Sequence, residues 1–436
     1  MSSSPPAPRR PGLRLRQSIQ HIEYAPTPSP PAHIPHSPSH DRSDATHHLA
    51  GPFRPQTPLD AQFASPTKPT HPGQLDPWST ASYGLWADIK SMRWVVVPTS
   101  SFKILLITFV LWSNWELVRP FLAPELSNPF APLIFISHPI PDSAPDDPRY
   151  AKGYLDLVFI AWYIIVWSFF RQIITLHISR SVGQWFGIKK ESKLARFGEQ
   201  GYAMAYFAFM GIWGIRIMSQ FPTWWYRTEY FWIDYPHWQM KPELKRYYLM
   251  QASYWCQQLI VLLLNLEKPR KDYYELVAHH FVTLWLVGWS YLINLTFIGN
   301  AVYVSMDVPD VFIALSKAIN YIQYARTKVV VYLLFVGIWS YFRHFLNFYI
   351  LYSVWTEFDL MPETSKRWSP EDGVWMVWWM KYQVFVPLVL LQLLNLLWYV
   401  LILRIGVRAA AGIFSQEQAE KVTDERSDDE EDEKDD

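Results

Sequence analysis

The sequence predicts an all-α, polytopic membrane protein with about eight transmembrane helices. Half of its 436 residues are hydrophobic and 17% aromatic, with 23 Trp, while only 18% are charged. A soluble domain carries about 25% charge. From about residue 94, apolar runs of roughly 20 residues recur, the length an α-helix needs to cross a ~30 Å hydrocarbon core. Between these runs, Lys and Arg concentrate on alternate loops, as they do in membrane proteins. Net charge is zero, so no global field points to nucleic acid. The single cysteine, Cys256, excludes an internal disulfide.

Residues 1–80 are rich in Pro, Ser, Thr and His and hold few aliphatics. Such a segment cannot bury enough surface to offset its ordering entropy, so disorder is expected. Its Ser-Pro and Thr-Pro steps, at Thr27, Ser29, Ser37, Thr57 and Ser65, suit proline-directed kinases. Residues 1–16 lack the apolar core of a signal peptide, so the first span is expected to direct insertion. Spans are expected at about 100–120, 153–176, 201–221, 248–266, 273–293, 298–319, 329–353 and 374–404. Lys103 and Arg216 interrupt the first and third, and such side chains snorkel near a helix end. The first two spans and their loops make up 81–190; the remaining six belong to a unit over 191–408.

Eight spans leave both termini on one side. Lys189, Lys190, Lys193 and Arg196, then Lys268, Arg270 and Lys271, then Arg326 and Lys328, then Arg404 and Arg408 fall on even-side loops. Asp142, Asp146 and Asp147, and the acidic residues from Glu357 to Asp372, fall on odd-side loops. Both termini are therefore expected to be cytosolic. Residues 409–436 end in a block of like charge, expected to be disordered, with an acidic-directed kinase site at Ser427. Asn294-Leu295-Thr296 fits the glycosylation pattern but lies too close to the membrane, so it is expected to be unmodified.

The chemistry concentrates in two consecutive spans. KDYYELVAHHFVTLWLVGWSYL places His279 and His280 inside one helix; GNAVYVSMDVPDVFIALSKAINYI places Asp307 and Asp310 inside the next. Ionisable groups at bilayer depth cost several kcal/mol and usually mark a site. Adjacent helix positions point about 100° apart, so the two histidines cannot both face one point. Thr283 shares their face, and Asp307 and Asp310 share one face of the following helix. At 1.5 Å per residue, His279 lies ~12 Å below Lys271 and Asp310 ~10 Å below Lys317, so the groups can meet in one layer. A His facing a carboxylate makes a general base; the same His can instead be a nucleophile carrying an acyl group. A structural polar network is the plain alternative. A metal site is disfavoured because adjacent positions are poor ligand spacing compared with i,i+4, and no metal is expected. Gln251 and Arg343 are further intramembrane polar residues; a buried Arg needs an anion, either Asp307, Asp310 or substrate.

The stretch 270–322 resembles the Lag motif of ceramide synthases, the longevity-assurance family of TLC-domain membrane proteins. Lys271-Asp272, His279-His280, Gly299-Asn300, Met306-Asp307-Val308, Asp310 and Asn320-Tyr321 carry the resemblance. RYYLMQASYWCQQ (246–258), SYFRHFLNFYILYSVW (340–355), LLQLLNLLWYVLILRIGVR (390–408) and LARFGEQGY (194–202) are also similar to the family, of fungal type. Pro309 departs from the small or branched apolar residue usual between the aspartates. The resemblance implies a TLC-domain helical bundle over 191–408 in the endoplasmic reticulum membrane. It implies N-acylation of a sphingoid base by a fatty acyl-CoA as co-substrate, without a further cofactor, and His279, His280, Asp307 and Asp310 as catalytic residues. Lys268, Arg270 and Lys271, with the other basic loop residues, would attract the CoA phosphates, and Thr283, Arg343 and Gln251 would contact substrate. Family members also pair as dimers or with a small single-span subunit. Two rivals are a non-enzymatic TLC-domain lipid chaperone or translocation factor, and a transporter with a His/Asp proton relay; no internal repeat supports the latter.

Overall fold

The computed structural model describes residues 82, 84–122, 124–264, 273–322 and 324–410. These belong to one compact unit, Pro55–Asp436. The expected features of residues 1–80, of Lys268, Arg270 and Lys271, and of Ser427 lie outside the described residues.

Among the described residues a short helix α1 (Leu85–Lys90) precedes eight long ones. They are α2 (Pro98–Leu122), α3 (Leu155–Trp185), α4 (Glu191–Met218), α5 (Pro242–Leu263), α6 (Tyr273–Leu292), α7 (Thr296–Ile322), α8 (Arg326–Thr356) and α9 (Met380–Ala410). No strand occurs among the described residues; only isolated bridges do. Among the described residues five helices, α2, α3, α7, α8 and α9, are long and apolar enough to cross a membrane. The other three fall short of that apolarity because they carry inward polar groups. Arg196 in α4, Lys245 and Gln251 in α5, and the two histidines in α6 are all buried.

Several boundaries differ from expectation. α4 begins ten residues before 201 and α5 six before 248, because neighbouring helices bury Arg196 and Lys245, which apolarity alone would push out. Lys245 is anchored by Asp156 at 2.8 Å and by the carbonyls of Ser137 and Ala151. α3 runs nine residues beyond 176 through a π-helical segment, Ile174–Ser179. A second π segment, Ser340–Leu346, interrupts α8. Pro309 does not break α7.

Neighbour packs on neighbour around a ring in the order α3, α5, α6, α9, α8, α7, α4, with the π segment of α3 closing it against α4. α2 stands outside and packs on α3, leaving Phe109, Leu117 and Phe121 exposed. The α6–α7 turn is tight: Asn294 takes a positive φ of 63° and its buried amide donates to the Gly373 carbonyl at 2.8 Å. The nitrogen that glycosylation would modify is thus engaged. One turn on, only glycine fits at Gly299, where a Cβ would lie 1.9 Å from the Tyr248 hydroxyl.

Candidate active site at the junction of two cavities

The ring of helices encloses two cavities. One is walled mainly by apolar residues of α6, α7 and α9, from Val302 and Leu391 to Ile293 and Leu295 at the α6–α7 turn. The other is larger, reaches the opposite helix ends and includes Arg171, Glu199, Lys317 and Ile405. Three residues line both: His279, Trp255 and Arg343.

The α-helical period explains how the adjacent histidines divide. His279 reaches both cavities, clamped between Trp255 and Trp398 with ring centres 5.6 and 5.2 Å away. Its Nδ1 is buried without a hydrogen-bond partner. His280 lines only the larger cavity, and its Nδ1 lies 2.7 Å from the Leu276 carbonyl oxygen. Thr283, one turn along α6, faces the apolar cavity beside His279, its hydroxyl also buried and unpartnered.

The carboxylates are engaged elsewhere than the sequence suggested. Asp310 lies at the wall of the larger cavity and accepts from Arg343 Nη2 at 2.5 Å. Arg343 also donates to the Met306 carbonyl and to Asn395, and stacks over Trp339 at 4.3 Å, while its Nε is buried without a partner. Asp307 lines neither cavity. It accepts from Gln251 Nε2 at 2.6 Å, and Gln251 is held in turn by the Tyr206 and Tyr247 hydroxyls. The expected pairing of His279 with an aspartate is therefore absent. A buried guanidinium outcompetes a neutral imidazole for a carboxylate, and α5 supplies Asp307 with a fixed amide. Gln251, expected at the substrate, instead anchors α7 to α5. Asp307 likewise stands behind the wall and not on it.

Sequence reasoning missed Trp255, Trp398, Arg171, Lys317 and Tyr303. Tyr303 faces the apolar cavity with an unpartnered buried hydroxyl. In sequence the tryptophans look like the Trp residues that membrane proteins carry at the bilayer interfaces, although Trp255 lies within a stretch already similar to the family. Both π segments border the larger cavity, through Thr175 and Arg343. π-bulges in α-helices occur frequently at functional sites.

Residues 196–404 match the TLC domain. The chain is 41% identical over 301 residues to Sphingosine N-acyltransferase lac1 of Schizosaccharomyces pombe, covering 67% of this chain and 77% of that one. It is 38% identical over 306 residues to Ceramide synthase LAG1 of Saccharomyces cerevisiae, covering 70% and 73%. It is 38% identical over 261 residues to Sphingosine N-acyltransferase-like protein FUM17 of Gibberella moniliformis, covering 60% and 66%.

Proposed function

The chain belongs to the ceramide synthase family of TLC-domain acyltransferases, and from that premise we propose that it joins a fatty acyl-CoA to a sphingoid base at His279, in the membrane of the endoplasmic reticulum. The observation that carries this reading is the position of His279 where a nearly all-apolar cavity meets one that also carries charged groups. Acyl-CoA has the same division: an apolar chain, a thioester, and a polar carrier. With the chain directed into the apolar cavity and pantetheine in the larger one, the thioester falls at His279. Arg171 and Lys317, with the basic loops beyond, provide positive charge for the carrier.

The missing carboxylate favours a two-step route. A general base relies on an anion to stabilise the imidazolium, and His279 Nδ1 has no partner. A nucleophile needs only a ring nitrogen facing the carbonyl. In the first step that nitrogen attacks the thioester carbon, the C–S bond breaks, and CoA leaves as thiolate, which takes up a proton. In the second, the amine, having shed one proton from its ammonium, attacks the acyl-imidazole. The amide C–N bond forms, the bond to His279 breaks, and the second amine proton is released. The net products are amide, CoA thiol and one proton. The Arg343 guanidinium, which lines both cavities, would donate to the oxyanion of either step, while Asp310 and Asn395 fix it. Thr283 supplies a hydrogen bond to substrate. Asp307, through Gln251, is a positioning residue.

Purified protein in lipid, given labelled acyl-CoA and dihydrosphingosine, tests the function. Stoichiometric CoA release and amide formation are expected, both lost in His279→Ala. Amide formation undiminished in that variant would remove His279 from the reaction. Neither product from folded wild-type protein would favour the non-enzymatic alternative.

A further inference from the structure

The apolar cavity descends from His279 to the α6–α7 turn, and its lining steps down the helices about one turn at a time. On α7, Met306 stands at the reactive end, where its carbonyl accepts from Arg343; Val302, Ile298 and Leu295 follow towards the turn. On α9, whose Trp398 touches His279, Leu388 and then Val384 lie successively farther from the reaction. At 1.5 Å per residue, Ile293 lies ~21 Å beyond His279 along α6, and Val384 lies ~21 Å from Trp398 along α9. The two walls therefore reach the same depth.

The far end is rigidly held. Ile293, Leu295 and Ile298 line it and are buried. The turn that carries them is pinned from behind: Tyr235 donates to the Ile293 carbonyl at 2.7 Å, and Asn294 donates to the Gly373 carbonyl at 2.8 Å. Packed walls of this kind do not recede for a larger occupant without strain.

Resting on acyl transfer at His279, we propose that this cavity is a ruler for the acyl chain. The thioester is fixed at His279, the chain extends towards the α6–α7 turn, and Ile293, Leu295 and Val384 set the length that reacts best. A chain that ends short of them forfeits the burial of each missing methylene, and one that overshoots must bend against a pinned wall. Single bonds of ~1.5 Å advance an extended chain about 1.3 Å per carbon, so four residues of helix, or ~6 Å, match roughly four carbons. The position of a side chain along α7 or α9 thus translates into a number of carbons.

Purified protein in lipid is given dihydrosphingosine and an equimolar mixture of saturated acyl-CoAs, and the amides are resolved by chain length in a mass spectrometer. Ile298→Phe raises the floor and is expected to move the preferred chain to shorter lengths. Amide from the wild type's preferred chain should fall at least about tenfold relative to amide from shorter ones, the scale of one surplus methylene in an apolar pocket. Val302→Phe, four residues nearer His279, is expected to move the preference roughly four carbons further. Ile293→Ala, which only removes atoms, is expected to move it towards longer chains. Val384→Phe and Leu388→Phe, four residues apart on α9, repeat the comparison on an independent wall should an α7 variant fail to fold. A stepwise shift that follows depth supports the ruler, because a general loss of stability would lower all chain lengths alike. Amides with the wild-type length distribution in the folded variants overturn the ruler alone; no amide of any length from the folded wild type removes acyl transfer and the ruler with it.

Discussion

His279 and His280 are neighbours in the chain, yet only His279 reaches both cavities. His279→Ala is expected to lower the rate of amide formation by at least about 10³-fold, the loss of a nucleophile. His280→Ala is expected to cost about tenfold to 100-fold, as an orienting or proton-transferring neighbour; single-turnover rates separate the two. Asp310→Asn removes the charge that fixes Arg343, and Arg343→Lys removes its guanidinium. Each is expected to reduce kcat about 100-fold, the scale of one oxyanion donor, whereas Asp307→Asn, still able to accept from Gln251, costs less. An Asp307→Asn enzyme slower than Asp310→Asn would reverse the assigned roles. The sequence made the four ionisable residues conspicuous because charge inside an apolar run is costly. Their pairing was illegible, since Arg343 lies 33 residues from Asp310 and Gln251 lies 56 from Asp307. Only tertiary packing chooses between such partners.

At the scale of elements, the eight apolar runs located the eight long helices, because helix length and apolar content are local properties. Their ends were less legible: Arg196 and Lys245 look like loop residues until other helices bury them. The two π segments left no periodicity signal. The segment 219–241, joining α4 to α5, carries a titration of its own. Burial pushes the His237 pKa down from 6.5 to about 4, partly opposed by Asp234 and by the hydrogen bond with Phe231. The folded state thus holds fewer protons than the unfolded one between those values. This segment's stability is intact above pH 6.5, declines as pH falls towards 4, and is flat below; the loss is at most about 3 kcal/mol. Hydrogen-exchange protection over 226–241, corrected for intrinsic exchange, is expected to fall through that window and to become pH-independent in His237→Gln. Unchanged protection from pH 7 to 4 in wild type would contradict the burial argument.

For the whole molecule, the ring of seven helices places His279 between two unlike cavities. The composition established a membrane protein, and the motif its family. The cavities were not legible, because they are bounded by all seven helices from α3 to α9 together. The acidic tail lies beyond this assembly in sequence, so deleting residues 416–436 is expected to leave the single-turnover rate in detergent unchanged; a catalytically dead but folded truncation would place the tail in the reacting unit. The most direct test of the account uses acyl-CoA without any sphingoid base. Intact-protein mass spectrometry of the wild type is expected to show one added acyl chain with one CoA released, mapped to His279, discharged to amide when dihydrosphingosine is added, and absent in His279→Ala. An enzyme that turns over both substrates but never gains acyl mass would contradict transfer through His279.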